Sequence, residues 1–382
     1  MKYFITLLIG AALAFGGTYV VSEMSHEDDH HGEDSHHDDE LVAREPVRAD
    51  GSFTIATSFY PLQFALEQIA GENAEIINIG AGRDPHDFRP SVQAMRTLSQ
   101  ADLVVLQGAD FEPWGDEVKA RLQADRVPVL LATANLTLRE GGHAHDEDHA
   151  DEHEDDHADE AAPAHDHEES EQHHDDHEAE GEHHDEHEED GGHGHEDETR
   201  HHDDEHDHAH GAFNPHTWLD PVLFSETVEH LAEALTTLDP ENAVSYAENA
   251  AALKAELTAL DTTYETRLQS CTLDEVITSH AAFSYLGERY NFTIHSIAGL
   301  STQDQPSATT LATLREEAAE GINTILLEEN SIAAYGETLA RETGLQTLSI
   351  NPIAFSIPEG TDYLTLMQAN LDTFATALNC ND

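Results

Sequence analysis

The sequence predicts an α/β fold with two lobes, each built on a parallel sheet, and a long helix between them. Two observations carry this prediction. Short apolar segments with a strand pattern alternate with helical patterns in both halves of the chain, and one helical stripe between the halves is unusually long. The sheets are expected to be parallel because a helix separates consecutive strands. We therefore expect two similar lobes with a cleft between them.

The first half of the chain predicts four strands and three helices. Tyr60-Pro61 opens the first helix, because proline is accepted in the first helical turn. Ser91 is placed to cap the second helix. The predicted strands cover 53–58, 74–79, 103–106 and 127–131, and the helices begin at 60, at 91 and near 114.

The second half repeats this alternation after two connecting helices. The first connecting helix is predicted at 221–237, and Asp239-Pro240 ends it and starts the second. The second would span about 40 Å over roughly 28 residues, which suits a rigid connection between lobes. Its apolar stripe is Tyr246, Ala250, Leu253, Leu257, Leu260, Tyr264 and Leu268. Strands then follow at 275–279, 293–298, 324–327 and 346–350, with helices ending near 290, 320, 343 and 378.

A His-rich segment, residues 140–211, interrupts the first half. It holds 20 of the 30 histidines and 32 of the 79 acidic residues, with one basic residue. Since it has almost no apolar residues to bury, we expect a disordered loop of the first lobe. Imidazole and carboxylate are ligands that suit Zn²⁺. The alternative is an acidic spacer that only solvates the chain.

The overall charge and the N-terminus restrict partners and location. A net charge of −63 excludes nucleic acid and anionic membrane surfaces as natural partners, and favours cations. Residues 1–22 read as a secretory signal peptide or, alternatively, as an uncleaved membrane anchor, and no cysteine is near for lipid attachment. Residues 23–50 contain a second, shorter His/acidic stretch and are expected to form a flexible stalk. Either way the body is expected outside the cytoplasm.

Two cysteines, Cys271 and Cys380, are too few for a Cys₄ zinc site. In an oxidising compartment we expect one disulfide that ties the end of the chain to the start of the last lobe. Two free thiols are the alternative.

Four side chains form the candidate metal site: His86, His216, His280 and Glu328. His86 and His216 each follow a proline, which fixes the backbone just before the imidazole. His280 and Glu328 each follow an apolar strand, where side chains enter the cleft of a parallel α/β sheet. Three imidazoles and one carboxylate suit Zn²⁺ better than Ca²⁺, Mg²⁺ or Cu(I).

Three other residues could in principle be ligands: two histidines and one glutamate. Outside the two His-rich stretches the remaining histidines are His230, predicted within a helix, and His295, predicted within a strand, and we interpret both as structural. Glu329 adjoins Glu328 and is the alternative carboxylate ligand.

Residues 53–378 resemble the zinc group of the metal-specific substrate-binding proteins of bacterial ABC importers. The resemblance is specific because many separate motifs contribute to it. They are Thr57-Ser58-Phe59-Tyr60-Pro61, Asp84-Pro85-His86-Asp87-Phe88, Ala101-Asp102-Leu103-Val104-Val105 with Gly108 and Trp114, Asn214-Pro215-His216-Thr217-Trp218-Leu219-Asp220-Pro221, Ser279-His280-Ala281-Ala282-Phe283-Ser284-Tyr285-Leu286, Gln305-Pro306-Ser307 and Leu327-Glu328-Glu329-Asn330.

The resemblance implies two four-stranded lobes, a long joining helix and a metal buried at the lobe interface. It carries the ligand role onto the four candidate residues, and a histidine at position 280 favours zinc over manganese or iron. It also implies delivery of Zn²⁺ to an ABC permease in the cytoplasmic membrane. We expect a periplasmic monomer with no enzymatic activity.

Two alternative functions stay open at this point: a zinc buffer or metallochaperone without a permease, and a zinc hydrolase.

The chain is expected to divide into a first lobe at 51–221, linker helices at 222–270 and a second lobe at 271–382. The His-rich segment would raise the local Zn²⁺ concentration, and the site between the lobes would bind the ion tightly. Since neutral histidine is the binding form, affinity should fall as the pH drops through about 6.5.

Overall fold

Two four-stranded parallel sheets organise the chain. The computed structural model describes residues 53–141, 213–328 and 332–381. Both sheets belong to one compact unit. The predictions for 1–22, 23–50 and nearly all of the His-rich segment concern residues outside these ranges, as does Glu329.

The first lobe has the strand order β2-β1-β3-β4, with all pairs parallel. Three helices connect these strands or flank them. The elements are β1 (Phe53–Thr57), α1 (Tyr60–Ala70), β2 (Ala74–Asn78), α2 (Val92–Gln100), β3 (Leu103–Leu106), α3 (Gly115–Ala124) and β4 (Val129–Leu131). The predicted caps are confirmed, since Pro61 lies in the first turn of α1 and the Ser91 hydroxyl accepts the Ala94 N–H.

The second lobe repeats this order as β6-β5-β7-β8, again with parallel pairs. Its elements are β5 (Glu275–His280), α6 (Ser284–Arg289), β6 (Thr293–Ala298), α7 (Ala308–Glu320), β7 (Thr324–Leu327), α8 (Ala333–Thr343), β8 (Gln346–Ser349) and α9 (Tyr363–Ala377). In both lobes, one central strand pairs with each of the next two strands in the chain. Because all four strands of a sheet run parallel, their carboxyl ends lie at the same edge of that sheet.

Two helices join the lobes. α4 (Pro221–Leu238) begins at the cap Asp220, and α5 (Ala243–Leu268) follows the Asp239-Pro240 break. The seven buried residues of α5 are the seven of the predicted stripe. α5 packs on α1 of the first lobe and on α9 of the second, so one buried face connects both cores. The two-lobed α/β fold is thereby confirmed.

A disulfide joins Cys271 to Cys380, as expected. It fastens the end of the chain beside the start of β5. In the part of the chain that the structure describes, no helix has both the length and the apolar composition needed to cross a bilayer.

Candidate metal centre

Two turns of the first lobe, each with the pattern Asx-Pro-His, position two imidazoles. In the first, the Asp84 Oδ1 accepts the backbone N–H of His86 at 3.0 Å. In the second, the Asn214 Oδ1 accepts the backbone N–H of His216 at 3.0 Å. An Asx side chain commonly bonds the N–H two residues further along, and proline restricts the residue between. The same local chemistry therefore presents both histidines.

The His216 turn is additionally fixed through its ring. The Asn214 Oδ1 lies 2.8 Å from His216 Nδ1, so Nδ1 is the donor and Nε2 carries the free lone pair. Gln107 Nε2 donates to the Pro215 carbonyl at 2.6 Å and holds the turn from behind. Gln107 is in turn held by the buried Glu112 carboxylate, which accepts the Gln107 N–H at 2.8 Å. His216 is 1% exposed.

The second lobe supplies His280 and Glu328 from adjacent strands. His280 is the last residue of β5, and Glu328 directly follows β7, which pairs with β5. His280 Nδ1 lies 2.8 Å from Glu328 Oε1. The Glu328 N–H donates to the Ser279 hydroxyl at 3.1 Å, which fixes the carboxylate at the sheet edge. Both side chains are almost completely buried.

Closure of the lobes brings the three imidazoles together. His86, His216 and His280 each offer a ligand nitrogen, and these nitrogens all lie within 4.8 Å of one another. Within the described ranges this is the one group of three or more potential ligand side chains that is so close. Glu328 flanks the group through its contact with His280. All four predicted residues thus meet at the interface, with three of them in one cluster.

The distance between the two first-lobe imidazoles fits a shared ion. His216 Nε2 and His86 Nε2 face each other at 3.4 Å. A tetrahedral zinc ion with bonds of about 2.0–2.1 Å separates two nitrogen ligands by about 3.3 Å. The two nitrogens therefore already have the spacing of two ligands of one ion.

Burial keeps the first-lobe imidazoles neutral. It lowers the pKa of His86 to about 3, with a further contribution from His280, and it lowers the pKa of His216 well below its ordinary value. Burial also acts to lower the pKa of His280, but the Glu328 carboxylate outweighs it and raises that pKa. Neutral imidazole is the form that binds a metal, so His86 and His216 are ready to coordinate at neutral pH.

A cavity of about 360 Å³ reaches the cluster beside His86. Its walls include Phe111, Phe213 and the second-lobe residues Leu300 and Ser301. His86 is the least buried of the three histidines and the one that lines this cavity. Phe213 forms an isolated antiparallel bridge with Glu140, so the described residues on the two sides of the His-rich segment lie next to each other, and Phe213 places this junction beside the cavity. Glu140 itself is part of the described structure.

Sequence reasoning missed the supporting residues. The sequence shows the Asx-Pro-His pattern twice, and the prediction rests on the proline alone, whereas in the structure the Asx side chains accept the backbone N–H of each histidine. No sequence signal pointed to Gln107 and Glu112, because their role depends on contacts across the fold. His230 and His295 lie in α4 and β6, away from the cluster, and His295 contacts Glu275 and Glu317.

Comparison with known proteins places this geometry in a family. The sequence profile described as zinc-uptake complex component A, periplasmic, matches residues 55–377. The zinc-binding lipoprotein AdcA of Streptococcus pneumoniae is 31% identical over 330 residues, which are 85% of this chain and 55% of the relative. This chain thus spans about half the length of that protein. The high-affinity zinc uptake system protein ZnuA of Bacillus subtilis is 28% identical, over 85% of this chain and 87% of the relative.

Solved structures show the same fold. The Zn(II)-bound ZnuA-like domain of S. pneumoniae AdcA matches with a TM-score of 0.61 and 27% identity, over 86% of this chain and all of that domain. A Zn(II)-bound variant of S. pneumoniae AdcAII matches with a TM-score of 0.65 and 23% identity, over 86% of this chain and 98% of the other.

Proposed function

The chain belongs to the family of periplasmic zinc-uptake complex component A, and from that membership we propose that it captures Zn²⁺ between its lobes and delivers it to an ABC permease. The observation that carries this proposal is the cluster of three imidazoles contributed by two lobes. A site divided between lobes can hold an ion when they are together and release it when they separate. Such a site suits a carrier.

The proposed ligands are His86, His216, His280 and Glu328. Three nitrogens and one carboxylate oxygen complete a tetrahedral zinc site. The Glu328 carboxylate contacts the His280 imidazole at 2.8 Å, so these two side chains lie at the same place on the edge of the second sheet.

The proposed setting is outside the cytoplasm, with the chain acting as a monomer. Its relatives are named for zinc binding and zinc uptake, which supports transport over hydrolysis. The acidic chain attracts cations, so its charge favours encounter with Zn²⁺. The lobe limits at 221 and 271 remain part of this proposal.

Calorimetric titration of the full chain with Zn²⁺ tests the proposal. We expect one tight site beside weaker ones, and His280→Ala should abolish the tight site. His230→Ala is the matched control, because it removes a histidine of the linker helix α4 that lies outside the cluster. Tight binding that survives His280→Ala would refute the ligand set. Uptake that continues in cells expressing the permease with His280→Ala would refute the delivery role.

A further inference from the structure

The Asp84 side chain connects a metal-binding turn of the first lobe to a loop of the second. Its Oδ1 accepts the His86 N–H at 3.0 Å. Its Oδ2 accepts the hydroxyl of Thr302 at 2.7 Å, from 218 positions further along the chain. Thr302 is 2% exposed and Asp84 is half-buried, so this hydrogen bond is partly shielded from water. One carboxylate therefore fixes His86 and also reaches across the interface.

The segment that carries His216 is attached to the second lobe differently, by several bonds distributed along it. Tyr285 donates to the Asn214 carbonyl at 2.8 Å, Trp218 donates to the Pro352 carbonyl at 2.8 Å, and Arg289 donates to Asp220 at 2.6 Å. Loss of any one of these bonds would leave the others in place. For the His86 turn, the corresponding connection to the second lobe is the Asp84–Thr302 hydrogen bond.

The Thr302 loop also forms the wall of the cavity beside His86. Leu300 and Ser301, which directly precede Thr302, line this cavity together with His86. The Ser301 N–H donates to the Asp304 carboxylate at 3.2 Å, which folds the loop back on itself. Movement of this loop away from the first lobe would break the bond to Asp84 and widen the opening at the least buried histidine.

We infer that Asp84 is a positioning residue for His86 and that Asp84 and Thr302 form an interlobe latch that governs release of the bound ion. This inference rests on the proposed role of His86 as a zinc ligand. While the latch is closed, Asp84 is held at both oxygens and the His86 turn stays against the second lobe. When it opens, His86 loses this support at the side that faces the cavity, and the ion leaves there.

The test is the dissociation rate of zinc from the full chain loaded with one equivalent, measured by capture with excess chelator. Thr302→Val removes the hydroxyl but keeps the shape, whereas Thr302→Ser keeps the hydroxyl. A partly shielded hydrogen bond to a carboxylate changes an equilibrium by up to about tenfold, so Thr302→Val should release zinc up to about tenfold faster. Thr302→Ser should stay within about twofold of the wild type. The control Thr338→Val removes a hydroxyl that donates to the Ala334 carbonyl and accepts from Arg341, both within α8, and it should not change zinc release.

Equal rates for Thr302→Val and the wild type would overturn the latch, and so would equally fast release from Thr302→Ser. A double-mutant cycle of Asp84→Ala and Thr302→Val, measured by unfolding without metal, tests the bond itself. Coupling of at least about threefold supports it, and additive effects would contradict it. A wild-type chain that retains no zinc at all would instead refute the proposed function, so the two failures are distinguishable.

Discussion

The two Asx-Pro-His turns of the first lobe share a sequence pattern but differ in what their Asx side chains hold. Asn214 uses one oxygen for both the backbone and the ring of His216, which fixes the tautomer. Asp84 uses one oxygen for the backbone of His86 and the other for Thr302 of the second lobe. The same local motif thus orients the ring of one histidine firmly and couples the other histidine to the opposite lobe.

With the proposed latch, this difference separates a fixed side of the site, at His216, from the side at which it would open, at His86. His216 is 1% exposed and lies on a segment bonded repeatedly to the second lobe. His86 is less buried and lines the cavity. Affinity should depend on both turns, whereas the rate of exchange should depend mainly on the His86 turn.

Removal of either imidazole should have the largest effect. His86→Ala and His216→Ala should each weaken zinc binding by more than about a hundredfold, beyond the usual effect of losing a supporting residue. Competition with a chromogenic chelator measures this. A His86→Ala protein that keeps wild-type affinity would place the ion away from the paired Nε2 atoms.

Removal of the Asx side chains should distinguish the two turns. Asn214→Ala should weaken zinc affinity about 10- to 100-fold, because the His216 ring loses the acceptor that orients it. Asn214→Asp keeps an acceptor at the same place and should lose less. Zinc titration of Asn214→Ala, Asn214→Asp and Asp84→Asn measures these affinities side by side. If Asn214→Ala retains wild-type affinity, the ring contact does not orient the ligand.

Acid should destabilise the metal-free protein through the first-lobe imidazoles. Because the pKa of His216 is lowered on folding, the unfolded chain binds the extra proton below about pH 6.5, and stability falls as pH falls. Between pH 7.5 and 5.5 the loss is about 1.4 kcal/mol for one such histidine.

Urea unfolding in the presence of chelator measures this loss. The wild type should lose about 1.4 kcal/mol more than His216→Gln over that interval. His280 should act with the opposite sign, because its raised pKa contributes stability below the ordinary value that is lost as pH rises. His280→Gln should therefore lose more stability in acid than the wild type. A wild type and a His216→Gln variant with equal pH dependence would show that His216 is not kept neutral.

Deletion of residues 143–211 should have the smallest effect on the tight site. The four proposed ligands lie outside this stretch, so we expect the affinity of that site to change less than about threefold. The number of weak sites should fall, and association at low ionic strength should slow. Calorimetry and stopped-flow mixing separate the two effects. Loss of the tight site with the deletion would mean that the His-rich segment supplies ligands.

Much of the fold was accessible from the sequence because its signals are local. Spacing within a few residues is enough to predict three features: the seven-residue stripe of α5, the Ser91 cap, and the alternation of strands and helices. Strand ends were less accurate. β4 begins at Val129 instead of 127, since Pro128 has no N–H for the ladder.

The candidate ligands could be named from the sequence, but the residues that hold them in place could not. His280 ends a buried strand and Glu328 directly follows one, and the apolar pattern reveals both strands. The Asp84–Thr302 hydrogen bond joins residues 218 positions apart. The hydrogen bond from the Gln107 N–H to the Glu112 carboxylate depends on how the loops pack. Such contacts arise only when the sheets are assembled and the lobes have met, so no periodicity in the sequence encodes them.

The most direct test of the account is an anomalous difference map from crystals of the full chain grown with one equivalent of zinc. We predict a strongest peak about 2.0–2.1 Å from a nitrogen of His86, His216 and His280 and about 2.0–2.2 Å from a Glu328 oxygen. A strongest peak bound by residues of one lobe alone would contradict the claim that the two lobes hold the ion together.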